Sequence, residues 1–273
     1  QYADAAYPMR NDPEVVKFLS GKAKKYNLEN TKTSGDKIWA NIEDGLIRES
    51  FVAAKEGNIS GNFGLQQRML AAAALVLDTE PESSAIVDWI YQPGKWSEDR
   101  NNNTAKCTGG NLSVQLVNAV DRDGAGDESS PNYNSAWVEN LYECADMLQM
   151  YSKDKKYDLY QNPKFAKMFT VYIPLVLSDS YTVQIGDSGA VASIDYMDDI
   201  NMLTAGFRSL KDSPVGEELA AYIYKRNGNT ADGLHYDIFT KNPESIKQEI
   251  LDIIEEHGEY PFDRSSMMTG YGL

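Results

Sequence analysis

The fold is decided by LQQRMLAAAALVL, residues 65–77, an alanine-rich stretch that carries a single charged side chain. Leu65, Met69, Ala73 and Val76 recur at helical spacing, which predicts a helix over this stretch. A helix that is apolar on nearly every face belongs in the interior of a layered protein. The stretch therefore predicts a fold built from packed helices.

Other stretches show the same periodicity, several of them beginning with a capping residue and proline. The predicted helices are residues 13–26, 36–54, 82–91, 136–151, 163–177, 196–210, 214–225 and 243–257. In the second of these, the spacing places Ile38, Ile42, Leu46 and Phe51 on the buried side. Strand signals are confined to residues 181–185 and 235–239, so the sequence predicts an all-α fold with at most minor short strands.

Helices of similar length in series, separated by polar loops, predict antiparallel pairs arranged as an incomplete α/α toroid. A plain helical bundle is the alternative, and periodicity does not separate the two. We expect residues 1–265 to form this helical domain. Residues 266–273 read as a turn leading into a strand, which predicts a link to a further domain of a larger protein.

Composition narrows the class of protein. The chain has 273 residues, 42% hydrophobic and 25% charged, which is typical of a globular protein with a sizeable core. No apolar run reaches the roughly 18–20 residues of a membrane span, and the first residues lack the pattern of a signal peptide. A net charge of −15 without a basic tract argues against nucleic acid and anionic membrane as partners. Two cysteines and two distant histidines predict no metal site, and we expect no cofactor.

The first polar motif is Ser-Gly-Asn-Phe-Gly-Leu-Gln-Gln, residues 60–67, just before the alanine-rich helix. Its glycines allow a tight backbone approach and leave the amide of Asn62 exposed at a helix N-terminus. An amide beside the positive end of a helix dipole is suited to binding a carboxylate. The alternative is that Asn62 only caps its helix.

The second motif, residues 121–134, reads Asp-Arg-Asp-Gly-Ala-Gly-Asp-Glu-Ser-Ser-Pro-Asn-Tyr-Asn. Its density of charged, glycine and small polar residues between two helices favours the rim of a site. It contributes the candidates Arg122, Asp123, Glu128 and Tyr133. A solvated turn that caps the following helix is the alternative, and Tyr133 is one of 17 tyrosines.

The Gly-Asp-Ser-Gly run, two tryptophans and one cysteine are the remaining features that bear on a site. A Gly-Asp-Ser-Gly run contains Asp187, but a serine nucleophile needs a histidine base, and the two histidines do not favour a serine hydrolase. Trp96, in a polar stretch, is a candidate platform for stacking on a sugar ring, whereas Trp137 lies on an apolar helix stripe that predicts core packing. Cys144 lies on the same stripe, which favours a buried free thiol.

Taken in order, these segments resemble the heparinase II/III family of bacterial polysaccharide lyases over roughly residues 35–273. Residues 60–67 look like the asparagine motif of that family, and residues 123–133 look like its tyrosine motif. Residues 185–188 and 269–273 look like later landmarks, the last of them where a toroid meets a β-sandwich domain. The chain departs from the pattern at Phe63 and Ala125, where many members carry histidine.

The resemblance implies an α/α toroid that cleaves uronic-acid polysaccharides by β-elimination, in the periplasm or outside the cell, together with a β-sandwich domain. It implies that Asn62 neutralises the substrate carboxylate and that Tyr133 acts as base, acid or both. On this hypothesis, the candidate substrate-binding residues are Gln66, Trp96, Arg122, Asp123, Glu128 and Asp187. The alternatives are a toroid glycoside hydrolase that pairs Asp123 or Glu128 with Asp187, and a non-catalytic glycan-binding domain.

Overall fold

The computed structural model describes most of the chain. The described residues are 5–59, 61–99, 101–102, 104–128, 130–151, 155–178, 180–186, 199–234, 239–259 and 265–269. Most of them are helical, and two small two-stranded sheets complete the regular structure. The prediction of a mostly helical protein with minor strands is therefore confirmed.

The α-helices are α1 (Pro13–Lys25), α2 (Gly35–Ile42), α3 (Glu49–Lys55), α4 (Leu65–Leu77), α5 (Glu82–Tyr91), α6 (Leu112–Asn118), α7 (Pro131–Tyr151), α8 (Pro163–Met168), α9 (Ile200–Leu210), α10 (Pro214–Arg226) and α11 (Pro243–His257). The strands are β1 (Trp96–Asp99), β2 (Thr104–Cys107), β3 (Val176–Leu177) and β4 (Tyr181–Thr182). Both sheets are antiparallel, β1 with β2 and β3 with β4.

The predicted helix 36–54 is interrupted by a π-helical segment, Glu43–Arg48, which joins α2 to α3. Ile38 and Ile42, which precede this segment, are buried as predicted. Leu46 lies within it and is 47% exposed, so its predicted burial is wrong. The wider π turn shifts the helical phase, because each turn contains more residues than the 3.6 on which the prediction rests.

Helix α4 has the predicted bounds and packs against both α5 and α7. Its buried face contains Leu70, Ala74 and Leu77, whereas Leu65 is 40% and Val76 is 55% exposed. The four residues that mark the helical period in the sequence therefore do not all lie on the buried face, although Ala73 does. Because almost every position of this helix is apolar, the sequence does not distinguish its faces, and the positions of α5 and α7 determine which face is buried.

Two other helix bounds differ from prediction. Helix α7 begins at Pro131, so Tyr133 lies in its first turn rather than in the preceding loop. The predicted helix 163–177 ends as α8 at Met168, and a short 3-10 turn, Ile173–Leu175, leads into β3. Proline at residue 174 lacks the N–H that a continuing helix needs.

The hairpin of β1 and β2 was not predicted, because its polar residues show no alternating apolar pattern. Helix α6 was also not predicted; it has seven residues, too few for a clear helical period. Strand β4 falls within the predicted strand 181–185. The predicted strand at 235–239 and the predicted helix start at 196 fall largely outside the described residues.

The helices pack in series. Helix α4 lies against α5 and α7, α7 also contacts α9, α9 packs on α10, and α10 packs on α11. One large apolar core runs through these contacts. Within the described ranges, no helix combines the length and apolar character needed to cross a lipid bilayer.

A buried ion pair joins α7 to α9. Arg208 Nη2 lies 2.5 Å from Asp146 Oδ2, and the Asp146 side chain is 1% exposed. The Tyr160 hydroxyl donates a hydrogen bond to the other carboxylate oxygen at 2.9 Å. Burial, reinforced by the Asp146 carboxylate, raises the pKa of Tyr160 well above its ordinary value, so the phenol stays a neutral donor to this carboxylate.

The phase of α4 can be tested with two truncations. We expect Leu70→Ala to lower the free energy of unfolding by about 2–5 kcal/mol, because Leu70 is fully buried. Val76→Ala should change it by less than about 0.5 kcal/mol, because Val76 is largely exposed. Urea denaturation followed by circular dichroism measures both; a larger loss for Val76→Ala would contradict the observed phase.

Candidate functional site

A groove of about 540 Å³ lies where the two polar motifs meet. Its walls come from the segment before α4, the residues flanking the β1–β2 hairpin, the turn before α7, and α7 itself. The lining residues are Ile59, Gly61, Asn62, Phe63, Gln66, Gln67, Gly94, Trp96, Cys107, Gly109, Gly110, Asn111, Gln115, Asp127, Glu128 and Trp137.

The first wall is fixed at the N-terminus of α4. Gly64 is the N-cap of this helix, with a φ of +93°, and a Cβ there would lie 2.7 Å from the Cβ of Asn140 on α7. Only glycine tolerates both this conformation and this close approach. Because Gly64 is the N-cap, the exposed side chain of Asn62 does not cap α4 and is available to a ligand.

Gln67 connects this wall to the next one. Its side chain is 6% exposed, accepts a hydrogen bond from Gly64 N at 3.1 Å and donates one to Gly110 O at 2.7 Å. One buried amide therefore closes the capping box of α4 and holds the loop that precedes α6. Gln67 was not a predicted site residue, although a glutamine three residues after an N-cap is a recognisable capping signal.

The opposite wall is positioned by Asn134, which is fully buried in α7. Its Nδ2 donates to Ser130 O at 3.0 Å and to Glu128 O at 3.4 Å, and its Oδ1 accepts from Glu128 N at 3.4 Å. This side chain fixes the backbone of the turn that carries Asp127 and Glu128. Both of these acidic residues line the groove, and Asp127 was not a predicted site residue.

Aromatic rings form much of the remaining surface. Trp137 is 4% exposed, as its predicted core position requires, and its ring meets Phe63 edge-on with centroids 5.1 Å apart. Among the described residues, no acceptor lies within hydrogen-bonding distance of its indole N–H. A buried donor left unpaired costs roughly 1–3 kcal/mol, so this N–H lowers the stability of the groove wall.

Trp96 lies on β1 at the edge of the groove. Its ring is 55% exposed, and its Nε1 donates to Gly57 O at 3.4 Å. A half-exposed indole held at one edge is suited to stacking on the apolar face of a sugar ring.

Tyr133 lies beside the groove without lining it. It is 40% exposed, and its backbone N–H donates to Ser130 Oγ at 3.3 Å in the first turn of α7. It precedes Trp137 by four residues, so both project from the same face of the helix, with Cβ atoms about 5–6 Å apart. The structure thus places Tyr133 one helical turn from a groove residue.

Arg122 and Asp123 lie elsewhere. Arg122 Nη2 donates to Thr269 Oγ1 at 3.1 Å, and Asp123 Oδ2 accepts from Thr269 N at 2.9 Å and from its hydroxyl at 2.5 Å. Neither residue lines the groove; together they hold the segment 265–269. Of the remaining predicted site residues, Asn62, Gln66, Trp96 and Glu128 line one groove, and Asp187 is outside the described residues.

The groove lining is rich in amides and acidic in charge. Its amide side chains are Asn62, Gln66, Gln67, Asn111 and Gln115. The described lining contains two carboxylates and no lysine, arginine or histidine. In the part of the chain that the structure describes, no group of three or more histidine, cysteine or acidic residues is placed to hold a metal ion. Such a surface can exchange hydrogen bonds with hydroxyl groups and stack on sugar rings.

Comparison of the chain with models of protein families, with curated proteins and with solved structures gives no match.

The role of Gln67 predicts a difference between neighbouring glutamines. Gln67→Ala should lower the free energy of unfolding by roughly 1–3 kcal/mol, because it leaves Gly64 N and Gly110 O without their partner. Gln66→Ala is the matched control and should cost less than about 1 kcal/mol, since the hydrogen bond of its side chain to Ile59 O is long, at 3.5 Å. Equal losses in thermal or urea denaturation would contradict the bridging role.

The two free thiols should differ in reactivity. Cys144 is fully buried, and burial raises its pKa, whereas Cys107 lines the groove and is partly exposed. We expect a chromogenic disulfide reagent to modify Cys107 in the native protein and both thiols after unfolding. Cys107→Ser should abolish the native reaction; a native reaction that persists in this variant would show that the Cys144 thiol is accessible and contradict its burial.

Proposed function

We propose that the chain is the helical domain of a polysaccharide lyase resembling the heparinase II/III family, and that its groove binds uronic-acid glycans and cleaves them by β-elimination. One observation carries the proposal: Asn62 and Gln66 from the first motif and Glu128 from the second line the same groove, beside two indoles. Two motifs far apart in sequence, singled out for the same chemistry, thus meet at one surface.

The proposed chemistry assigns a role to each side chain. The amide of Asn62, next to the positive end of the α4 dipole, hydrogen-bonds the uronate carboxylate and stabilises the charge that develops as the C5 proton leaves. Tyr133, one turn from Trp137, takes that proton. The C5–H electrons form the C4–C5 double bond as the C4–O bond breaks, and a proton then reaches the departing glycosidic oxygen from Tyr133 or water.

The serial packing of α4, α5, α7, α9, α10 and α11 is compatible with an incomplete α/α toroid of helix pairs. We include that arrangement in the proposal. A β-sandwich domain as partner and a periplasmic or secreted location follow from the family resemblance alone and are part of the same proposal.

A second candidate function is non-catalytic glycan binding. It is favoured by the groove lining itself, whose described residues include no histidine, lysine or arginine to assist proton transfer or hold a carboxylate. The hydrolase alternative loses the form that uses Asp123, because this carboxylate accepts hydrogen bonds from Thr269 and does not line the groove. The form that pairs Glu128 with Asp187 stays an alternative.

The test of the lyase uses the 273-residue chain and a panel of uronic-acid polymers. We expect ultraviolet absorbance from the unsaturated uronate product. Asn62→Ala and Tyr133→Phe should each lower kcat/KM by about 100-fold or more, the usual effect of losing a charge-stabilising or proton-transferring group. Asn201→Ala and Tyr26→Phe are matched controls at exposed positions outside the groove and should retain full activity.

Each alternative gives a different result in the same assay. New reducing ends without a gain in ultraviolet absorbance would show that the reaction is hydrolysis and not β-elimination. If a polymer binds and Asn62→Ala weakens that binding, but neither unsaturated uronate nor new reducing ends form, the non-catalytic glycan-binding domain is favoured. If the chain binds none of the polymers and cleaves none of them, the proposed function is contradicted altogether.

A further inference from the structure

The charge of the groove is localised at one turn. Asp127 and Glu128 are adjacent, and the backbone of each is fixed: Asp127 N donates to Ala119 O at 2.8 Å, and Glu128 N donates to Asn134 Oδ1 at 3.4 Å. Because Asn134 is fully buried, this turn is part of the folded framework. Two carboxylates therefore remain at the groove wall when a ligand enters.

Three cations that contact the chain around residues 117–122, just before this turn, are engaged by other groups. Arg122 donates to Thr269, Lys164 Nζ donates to Val117 O at 2.7 Å, and Lys167 Nζ donates to Arg122 O at 3.0 Å. None of the three lines the groove. Within the described part of the chain, no cationic side chain of the groove lining offsets the two carboxylates.

The remaining lining suits uncharged ligand groups. Asn62, Gln66, Asn111 and Gln115 can each donate to and accept from a sugar hydroxyl, and the carboxylates can accept from hydroxyl groups. A second carboxylate or a sulfate placed beside Asp127 and Glu128 would instead be repelled. This repulsion weakens with distance and with added salt, so it is strongest for an anion in direct contact with the turn.

We propose that Asp127 and Glu128 select the substrate by charge, so that the groove takes an unsulfated glycan in which neutral sugars separate the uronates and rejects polyanionic glycans. The proposal rests on the proposed function and narrows its substrate class. The isolated uronate lies at the Asn62 side, where an amide and a helix N-terminus face it, and a neutral sugar lies at the Asp127–Glu128 side. Asp127 and Glu128 are thus specificity-determining residues.

The test measures binding separately from cleavage. Isothermal titration of the full chain, at low ionic strength, uses three hexasaccharide probes: alternating glucuronate and N-acetylglucosamine, mannuronate alone, and a heparin-derived sulfated hexamer. We expect the alternating probe to bind at least about tenfold more tightly than either of the others. Added salt should narrow this difference, because it screens the repulsion of the charged probes.

Two neutralising variants locate the effect. Asp127→Asn and Glu128→Gln should each improve the affinity for mannuronate hexamer, relative to the alternating probe, by about three- to tenfold. Asp252→Asn on α11 is the matched control: it removes the same unit of charge at an exposed position outside the groove and should leave the ratio unchanged.

The outcomes separate this proposal from the one on which it rests. Tightest binding of the sulfated hexamer, or an equal effect of Asp252→Asn, would overturn charge selection while leaving glycan binding intact. Failure of all three probes to bind would overturn both proposals. Selective binding of the alternating probe without any cleavage would support charge selection and contradict the lyase.

Discussion

The packing of α4 against both α5 and α7 constrains the rest of the molecule. Small alanine side chains allow the backbones to approach closely, and Leu70, Ala74 and Leu77 fill the contact. The same helix begins at Gly64, where the backbone lies so close to α7 that no side chain fits. The groove forms at that end because Gln67 then reaches across to Gly110. Core packing and site geometry therefore share one element.

Much of the fold was predictable from periodicity and end signals. Helices α4, α5 and α11 have the predicted bounds, since each begins or ends at a recognisable signal and is long enough to show a period. What the sequence did not reveal was helical phase. In α4 the apolar residues surround the axis, and in residues 43–48 a π turn displaces Leu46 outward. Both depend on neighbours that local sequence does not specify.

The sequence predicted the two polar motifs of the site, but it did not predict which of their side chains line one groove. Asn62, Gln66, Trp96 and Glu128 were singled out by residue type and setting, and they line one groove. Arg122 and Asp123 are also charged residues of the second motif, yet their contacts are with Thr269, far along the chain. Gln67 and Asp127 were not predicted as site residues, because the sequence does not show that one amide is buried or that one acidic side chain lines the groove. Long-range contacts, rather than composition, separate these cases.

The attachment of Thr269 to Asp123 has a mechanical consequence. Asp121, Asp123 and Ala125 share a hydrogen-bonded turn that continues directly into Asp127 and Glu128. A displacement of residues 265–269 would therefore pull on the same turn that borders the groove. By thermodynamic reciprocity, a ligand that stabilises one arrangement of this turn must also stabilise the matching position of the segment.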